Sequence, residues 1–258
     1  MLEDRARQIN APYLKRLQSG LPWTIAKWAM SIDGRVATGG GESQWISGET
    51  SRRQVHRLRG RVDAILVGMG TVLADDPMLN ARLTSRDGQT IAPPRVAKRL
   101  IFSRGRLPPV ESKLVQTAHD IPTFLFTSPF VDPDALQTIR QHGVHCVAEN
   151  RSLQQILRQC AEGQIGDLPM TNVMVEGGPH LMASLLGKDP SEDQGGGDGC
   201  LIDEIHAYVG PMLLGGSNAP GPLMGLGIDR LAEAPNFDLH RVDRYDQDVR
   251  LIYRRRNA

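Results

Sequence analysis

Apolar and polar positions along the chain follow two periods, which predict strands and helices in turn. Short runs of apolar and β-branched residues predict strands, and segments whose apolar residues recur every three or four positions predict helices between them. The predicted strands cover residues 23–30, 63–67, 99–103, 123–127, 143–147, 172–176, 204–209, 237–242 and 249–253. The predicted helices cover residues 47–61, 133–141, 153–161 and 179–186. This order is typical of an α/β fold with a mostly parallel central sheet flanked by helices.

The end of the chain departs from this alternation. The last two predicted strands are joined by residues 245–248, which favours an antiparallel hairpin at the C-terminus. Residues 85–94 and 187–199 are rich in polar residues and glycine and are predicted to be loops, the second a surface insertion. Because the composition does not change at either segment, we expect a single domain over residues 22–258, preceded by an N-terminal extension at residues 1–21.

The charge balance argues against two classes of partner. The 258 residues include 30 basic and 29 acidic side chains, a formal net charge of +1. Such a chain has no overall field to recruit nucleic acid or an anionic membrane. It also has no apolar run long enough for a membrane span and no apolar signal core near Met1. We therefore expect a cytoplasmic protein.

Cysteine and histidine spacing predicts neither a disulfide framework nor a metal site. Cys146, Cys160 and Cys200 are odd in number and lack CxxC spacing, so reduced thiols are expected. The seven histidines do not fall at metal-ligand spacings. The sequence implies no metal.

Two charged residues stand out on the predicted strands. Lys27 alternates onto the same strand face as apolar residues such as Ile25, where an ammonium group must reach water or bind an anion. Glu176 ends a strand and is followed by Gly177, Gly178 and a proline suited to a first helical turn. A strand, two glycines and a helix start suit a bound phosphate, although ordinary tight turns have the same composition.

Other segments carry weaker signals for a nucleotide site. Residues 67–71 form a second glycine turn, in which Thr71 is predicted to cap a short helix and contact a phosphate. It is not a dinucleotide fingerprint, because Leu73 occupies a required glycine position. The glycine-rich loop that ends at Trp45 is typical of a lid that stacks on a ring. Most of the arginines on the helix at 47–61 are expected to form a solvated face.

Four blocks in the same order resemble one known family. They are residues 26–47, 58–82, 173–181 and 201–216, within a match that spans about residues 22–254. Together they resemble the pyrimidine reductase of riboflavin biosynthesis. The resemblance implies a dihydrofolate-reductase-like fold, NADPH as cofactor and a homodimer. It also implies hydride transfer to C1′ of the ribosylamine of 5-amino-6-(5-phosphoribosylamino)uracil, which opens the sugar to the ribityl chain.

The resemblance also assigns roles to individual residues. Lys27 and Glu176 become the catalytic candidates, with Asp33 as a further one, since the site must help protonate the departing ring oxygen or the imine nitrogen. The residues on the cofactor side are Ala29, Trp45, Thr71, Asp75, Ser103, Gly178, Pro179, His180, Leu181, Met182, Ala183 and Ser184. The residues on the substrate side are Ser43, Arg59, Leu79, Arg82 and Glu176.

The chain departs from the family pattern in two respects. No PCxxC of a zinc deaminase half occurs and residues 1–21 are too short to hold one, so a separate deaminase is expected to supply the substrate. Met212 stands where the family usually has a lysine. Two alternatives stay open: a reductase of the undeaminated 2,5-diamino-6-ribosylamino-pyrimidinone phosphate, and a non-catalytic NADPH-binding homologue. A serine hydrolase is disfavoured because no GxSxG motif is present.

Overall fold

The structure is a computed structural model that describes residues 2–85, 87–186, 199–225 and 227–256. These residues form two compact units, each built from two stretches of the chain. The first unit comprises Met1–Trp23 and His56–Met174, and the second comprises Thr24–Val55 and Val175–Ala258. The single domain over residues 22–258 and the extension at 1–21 stay predictions. Residues 187–198 of the predicted insertion at 187–199 lie outside the described residues.

The first unit alternates strands and helices. Its helices are α1 (Leu2–Ser19), the end of α2 (Glu49–Arg59), α3 (Met69–Asp75), α4 (Lys113–Gln116), α5 (Pro133–Gln141) and α6 (Leu153–Glu162). Its strands are β2 (Ala64–Gly68), β3 (Leu83–Thr84), β4 (Thr90–Ile91), β5 (Lys98–Phe102), β6 (Thr123–Thr127), β7 (His145–Ala148) and most of β8 (Asn172–Val175). Strands β2, β5, β6 and β7 pair in parallel in that order.

The parallel strands form the core of this unit. Leu66, Leu100 and Leu125 lie on three neighbouring strands and are fully buried, as is Ile156 on α6. Strands buried on both faces need such continuous apolar runs, which is why the pattern predicted them correctly. Each of these side chains stabilises the fold by roughly 1.5–3 kcal/mol through burial.

The helices of the first unit begin and end at recognisable signals. Asp132 accepts hydrogen bonds from the amides at the start of α5, and Pro133 follows it. Ser152 and Gln155 form a reciprocal capping box at the start of α6. Gly163 ends α6 with a φ of 78°, a backbone conformation that glycine adopts without strain.

Arg99 is a fully buried cation on β5. Its guanidinium donates to the hydroxyls of Thr123 and Thr117 at 2.8 and 2.7 Å, and to the backbone oxygens of Leu114 and Ile121 at 3.1 and 3.0 Å. Burial lowers its pKa to about 10. These bonds fix the segment between α4 and β6, a role that the strand pattern did not reveal.

The second unit holds the antiparallel part of the fold. It contains β1 (Trp23–Met30) from Thr24 onward, the start of α2, α7 (Pro179–Ser184), β9 (Glu204–Val209), a 3₁₀ turn (Leu231–Glu233), β10 (Phe237–Tyr245) and β11 (Asp248–Arg255). Strand β1 pairs with β9 in parallel, and β9, β11 and β10 pair antiparallel. The predicted C-terminal hairpin is confirmed, with Tyr245 opposite Asp248.

Some local predictions are wrong. Thr71 does not begin a helix: α3 starts at Met69 after Gly68, so Thr71 lies within its first turn. The predicted loop at residues 85–94 contains β4, which pairs with β3 in a small hairpin. Helix α1 was not predicted, although Leu2, Ala6, Ile9, Tyr13 and Leu17 recur at helical spacing. No helix among the described residues is long and apolar enough to span a bilayer.

Candidate active site

The strongest candidate site in the second unit is an ion pair between Lys27 on β1 and Glu176, which follows β8. Lys27 Nζ lies 3.6 Å from Glu176 Oε2, and the two side chains are 18% and 7% exposed. Strand alternation directs Lys27 to one face of β1, and Glu176 follows the last residue of β8. The two catalytic candidates thus lie together as a mostly buried pair.

Two further groups lie beside this pair. The ring centroid of Tyr208 on β9 is 6.0 Å from Lys27 Nζ and 5.9 Å from Arg250 Cζ. Arg250 on β11 is held by Asp243, with Arg250 Nη2 at 2.6 Å from Asp243 Oδ2. Sequence analysis missed Tyr208 and Arg250. Their strand positions relative to Lys27 depend on β9 and β11 pairing, which a single sequence does not reveal.

Helix α7 begins directly after the two glycines that follow Glu176. Gly178 precedes the helix in an extended conformation, and no side chain among the described residues caps the amides there. A Cβ on Gly177 would lie 2.5 Å from Leu181 Cδ2, so a larger residue here would require the Leu181 side chain to shift. Leu181 and Met182 are buried in the core. The backbone at the start of α7, rather than these two side chains, is therefore the part suited to an anion.

The loop before α2 carries Ser43 and Trp45. Trp45 is 63% exposed, and its ring lies 4.4 Å from the Arg52 guanidinium carbon. Asp248 anchors the end of this loop, since the Gly48 amide donates to Asp248 Oδ2 at 2.7 Å. Ser43 is half-buried and Ala29 lies near the end of β1. An exposed aromatic on an anchored loop fits the expectation of a lid, which stays a prediction.

In the first unit the predicted substrate residues gather around Asn80. The Arg59 guanidinium donates to the backbone oxygen of Asn80 at 3.3 Å. His56 Nδ1 lies 3.2 Å from that backbone oxygen and 3.2 Å from the backbone nitrogen of Arg82. Leu79 is buried with a φ of 48°, an unusual conformation for a leucine. The structure therefore brings Arg59, Leu79 and Arg82 together. His56 was missed, although it lies three residues before Arg59 on the same helix.

The remaining cofactor candidates of the first unit follow two of its parallel strands. Thr71 and Asp75 lie on α3, the helix after β2. Ser103 follows β5, and its hydroxyl donates to the Arg106 oxygen and accepts from the Arg106 amide. No side chain among the described residues caps the start of α3 after Gly68. The carboxyl ends of parallel strands are where open α/β sheets bind ligands.

Asp33 is occupied by a structural task. Its carboxylate accepts hydrogen bonds from the Ser31 hydroxyl at 2.7 Å and from the amides of Leu214 and Gly215 at 3.1 and 2.7 Å. These bonds lower its pKa to about 2. An acid this strong is ionised at neutral pH and cannot serve as a proton donor, so Asp33 is a weaker catalytic candidate than Lys27.

Comparison with known proteins identifies the family of this chain. Residues 22–251 match the RibD C-terminal domain. The chain belongs to this family. It is 32% identical to the riboflavin biosynthesis protein RibD of Actinobacillus pleuropneumoniae, over 98% of this chain and 62% of that protein.

Two further relatives place the chain more closely. It is 34% identical to the 2,5-diamino-6-ribosylamino-4(3H)-pyrimidinone 5′-phosphate reductase of Methanothermobacter thermautotrophicus, over 90% of this chain and 97% of that enzyme. Its structure matches that of Acinetobacter baumannii RibD with a TM-score of 0.79 and 28% identity, over 100% of this chain and 64% of that one. The chain thus spans under two thirds of the RibD proteins. The predicted α/β fold of the pyrimidine reductases is confirmed.

Proposed function

We propose that this chain is the reductase that converts the ribosylamino side chain of 5-amino-6-(5-phosphoribosylamino)uracil to the ribitylamino form in riboflavin biosynthesis. The observation that carries the proposal is the mostly buried Lys27–Glu176 pair within a chain of the RibD C-terminal domain family. The related archaeal protein, which this chain matches over nearly its whole length, is named as a reductase. An intact ion pair of this kind is expected of an enzyme rather than of a degenerate binding protein.

The family implies a nicotinamide cofactor, which we propose to be NADPH. When bound, the nicotinamide supplies a hydride. The backbone amides at the start of α7, which no side chain among the described residues caps, fit a phosphate group of such a cofactor. Gly178, Pro179 and their α7 neighbours would hold it in the second unit, together with Ala29 and Trp45. Thr71, Asp75 and Ser103 are the corresponding candidates in the first unit.

Lys27 and Glu176 have the chemistry that the sugar requires. Reduction at C1′ needs the open imine, so the bond from C1′ to the ring oxygen must break and that oxygen must take up a proton. The Lys27 ammonium can donate this proton or orient the sugar hydroxyls. Glu176 holds the ammonium in place and balances its charge, since a buried lysine without a carboxylate favours the neutral form. The exocyclic nitrogen keeps its own hydrogen when the ring opens, as an iminium, so hydride addition at C1′ gives the ribitylamine and only this one proton is taken up.

The substrate also carries a phosphate, which calls for cations of fixed geometry. Arg59 and Arg82 are suited to it because a guanidinium pairs with a phosphate through two parallel hydrogen bonds. The Arg59 contact with Asn80 keeps its side chain near Leu79 and the Arg82 backbone. We propose that these residues and Ser43 bind the substrate.

The undeaminated 2,5-diamino pyrimidinone is the second candidate substrate. It is favoured by the 34% identity to the archaeal reductase named for that compound. With either substrate, we propose that the enzyme is a cytoplasmic homodimer. The first substrate also requires a separate deaminase to supply it. The remaining possibility is a non-catalytic NADPH-binding homologue, and a measurement of NADPH oxidation distinguishes it from an enzyme.

The test is NADPH oxidation by the purified chain with the two pyrimidine phosphates offered separately. Turnover of the deaminated compound alone supports the main proposal. Turnover of the diamino compound alone shows that the undeaminated pyrimidinone phosphate is the substrate. Absence of turnover with both, together with thermal stabilisation by NADPH, contradicts the proposal and leaves a binding protein.

A further inference from the structure

Tyr208 is a buried aromatic that the proposed reaction does not yet use. It is fully buried at the penultimate position of β9, where the Arg250 side chain is one of its neighbours. Because it is closed off from solvent, it can act only through the side chains around it.

The ring of Tyr208 lies under two cations. Lys27 Nζ is 6.0 Å and Arg250 Cζ is 5.9 Å from the ring centroid, both within the range of a cation–π interaction. Strand register explains this arrangement. Tyr208 pairs with Ala29 on β1 and with Arg250 on β11, and Lys27 lies two residues before Ala29 on the same strand face.

Each of these cations is paired with a carboxylate. Glu176 lies 3.6 Å from Lys27, and Asp243 binds Arg250 through two nitrogens at 2.6 and 3.1 Å. Burial raises the pKa of Tyr208 to about 12, so the ring carries no charge at neutral pH. The other titratable groups on β9 and on the adjacent strand β11 are Glu204, His206, Asp248, Tyr253, Arg254 and Arg255, and Tyr245 on β10 lies beside Arg250. Tyr208 is therefore the neutral centre between two ion pairs, Lys27–Glu176 and Arg250–Asp243.

We propose that Tyr208 is a positioning residue for the reduction, and that its ring face holds the Lys27 ammonium beside Glu176. The proposal rests on the proposed function, since it assigns the ring's effect to the step in which Lys27 acts. Tyr208 does not itself contact substrate, because it is fully buried. It acts through Lys27, whose flexible four-carbon stem otherwise has several positions available to it.

The test compares Tyr208→Phe, which keeps the ring, with Tyr208→Leu, which removes it. We expect the phenylalanine variant to retain kcat within about twofold and the leucine variant to lose roughly 2- to 30-fold, the range of a cation–π interaction. The KM for NADPH should be unchanged in both. Phe124→Leu is the matched control, since it removes another buried ring, on β6 of the first unit, and should leave kcat unchanged.

A second measurement does not depend on turnover. The chain has only five lysines, so ¹³C labelling of the lysine ε-methylene groups gives a simple spectrum, in which Lys27 is assigned by its loss in Lys27→Gln. We expect its signal to keep its position in Tyr208→Phe and to move towards those of the other lysines in Tyr208→Leu.

The outcomes separate this proposal from the proposed function. An inactive wild-type chain contradicts the proposed function, while the lysine spectra still show whether the ring holds Lys27. Equal losses of kcat in Tyr208→Phe and Tyr208→Leu would show that the ring is not the group that holds Lys27, which overturns the proposal. An unchanged Lys27 signal in a folded Tyr208→Leu variant overturns the proposal altogether.

Discussion

Replacement of Glu176 by glutamine tests the proposed site most directly. The substitution keeps the size and shape of the side chain and removes the charge that faces Lys27. Lys27 is then a mostly buried cation that has lost the carboxylate 3.6 Å away. Loss of one partner is costly in such a pair, because the remaining charge stays desolvated.

The magnitude follows from the geometry. Two unit charges 3.6 Å apart attract by about 5 kcal/mol at the effective dielectric constant of roughly 20 that suits protein sites. Lys27 is 18% exposed, so water compensates part of this loss and we expect the free energy of unfolding to fall by about 1–3 kcal/mol. If the pair moves protons or orients the sugar, kcat/KM should fall by about 100- to 10,000-fold.

Chemical denaturation and steady-state NADPH oxidation measure the two effects. Glu49→Gln is the matched control, because Glu49 forms an exposed ion pair with Arg53, with 3.4 Å between Glu49 Oε1 and Arg53 Nη2. Exposed pairs of this spacing contribute about 0.3–0.5 kcal/mol, so the control should change stability little and activity not at all. The reasoning fails if Glu176→Gln resembles the control in both measurements.

Three further predictions concern binding, thiol chemistry and pH. Arg59→Ala should raise the KM for the phosphorylated substrate by about 10- to 100-fold while NADPH binding stays unchanged, and steady-state kinetics beside Arg57→Ala checks this; equal loss of both affinities contradicts the assignment. Burial raises the pKa of the Cys160 thiol to about 12 and that of the Cys146 thiol to about 11. Both thiols should therefore react slowly with a thiol reagent at neutral pH in the native protein and rapidly after unfolding. Fast labelling of the native protein would count against this burial. Although burial alone would raise the pKa of Glu204, hydrogen bonds and charges from its neighbours lower that pKa overall. The stability that the Glu204 carboxylate contributes is therefore present above its unfolded pKa and is lost as the pH falls through its folded pKa. Glu204→Gln should lose less stability than the wild type under acid conditions, and acid titrations that run parallel for the two proteins would contradict this.

The candidate site could be predicted only in part, for reasons visible at particular residues. Lys27 stood out because a lysine on an apolar strand face is costly, and Glu176 because it ends a strand before two glycines. Tyr208 and Arg250 gave no such signal, since a tyrosine is ordinary in a strand and an arginine is ordinary in a C-terminal hairpin. Whether Tyr208 meets Lys27, and whether Arg250 meets Tyr208, depends on which strands are neighbours.

The sequence by itself determined the order and type of most elements. The strands at Trp23–Met30, Thr123–Thr127 and Glu204–Val209 and the helix at Pro133–Gln141 have the bounds that the pattern predicts. Periodicity carries this information because burial of one face is a local property of consecutive residues. Helix α1 was missed although its apolar side chains Leu2, Ile9 and Leu17 follow helical spacing; in the structure these side chains are exposed.

Only the tertiary structure decided which charges meet. Lys27 and Glu176 are 149 positions apart in the chain, and Arg250 and Tyr208 come together because β11 pairs with β9 in one register. A shift of that register by one residue would turn Arg250 to the opposite face and leave Tyr208 without its second cation. Pairing and register are set by the packing of the whole sheet, and a local pattern does not contain them.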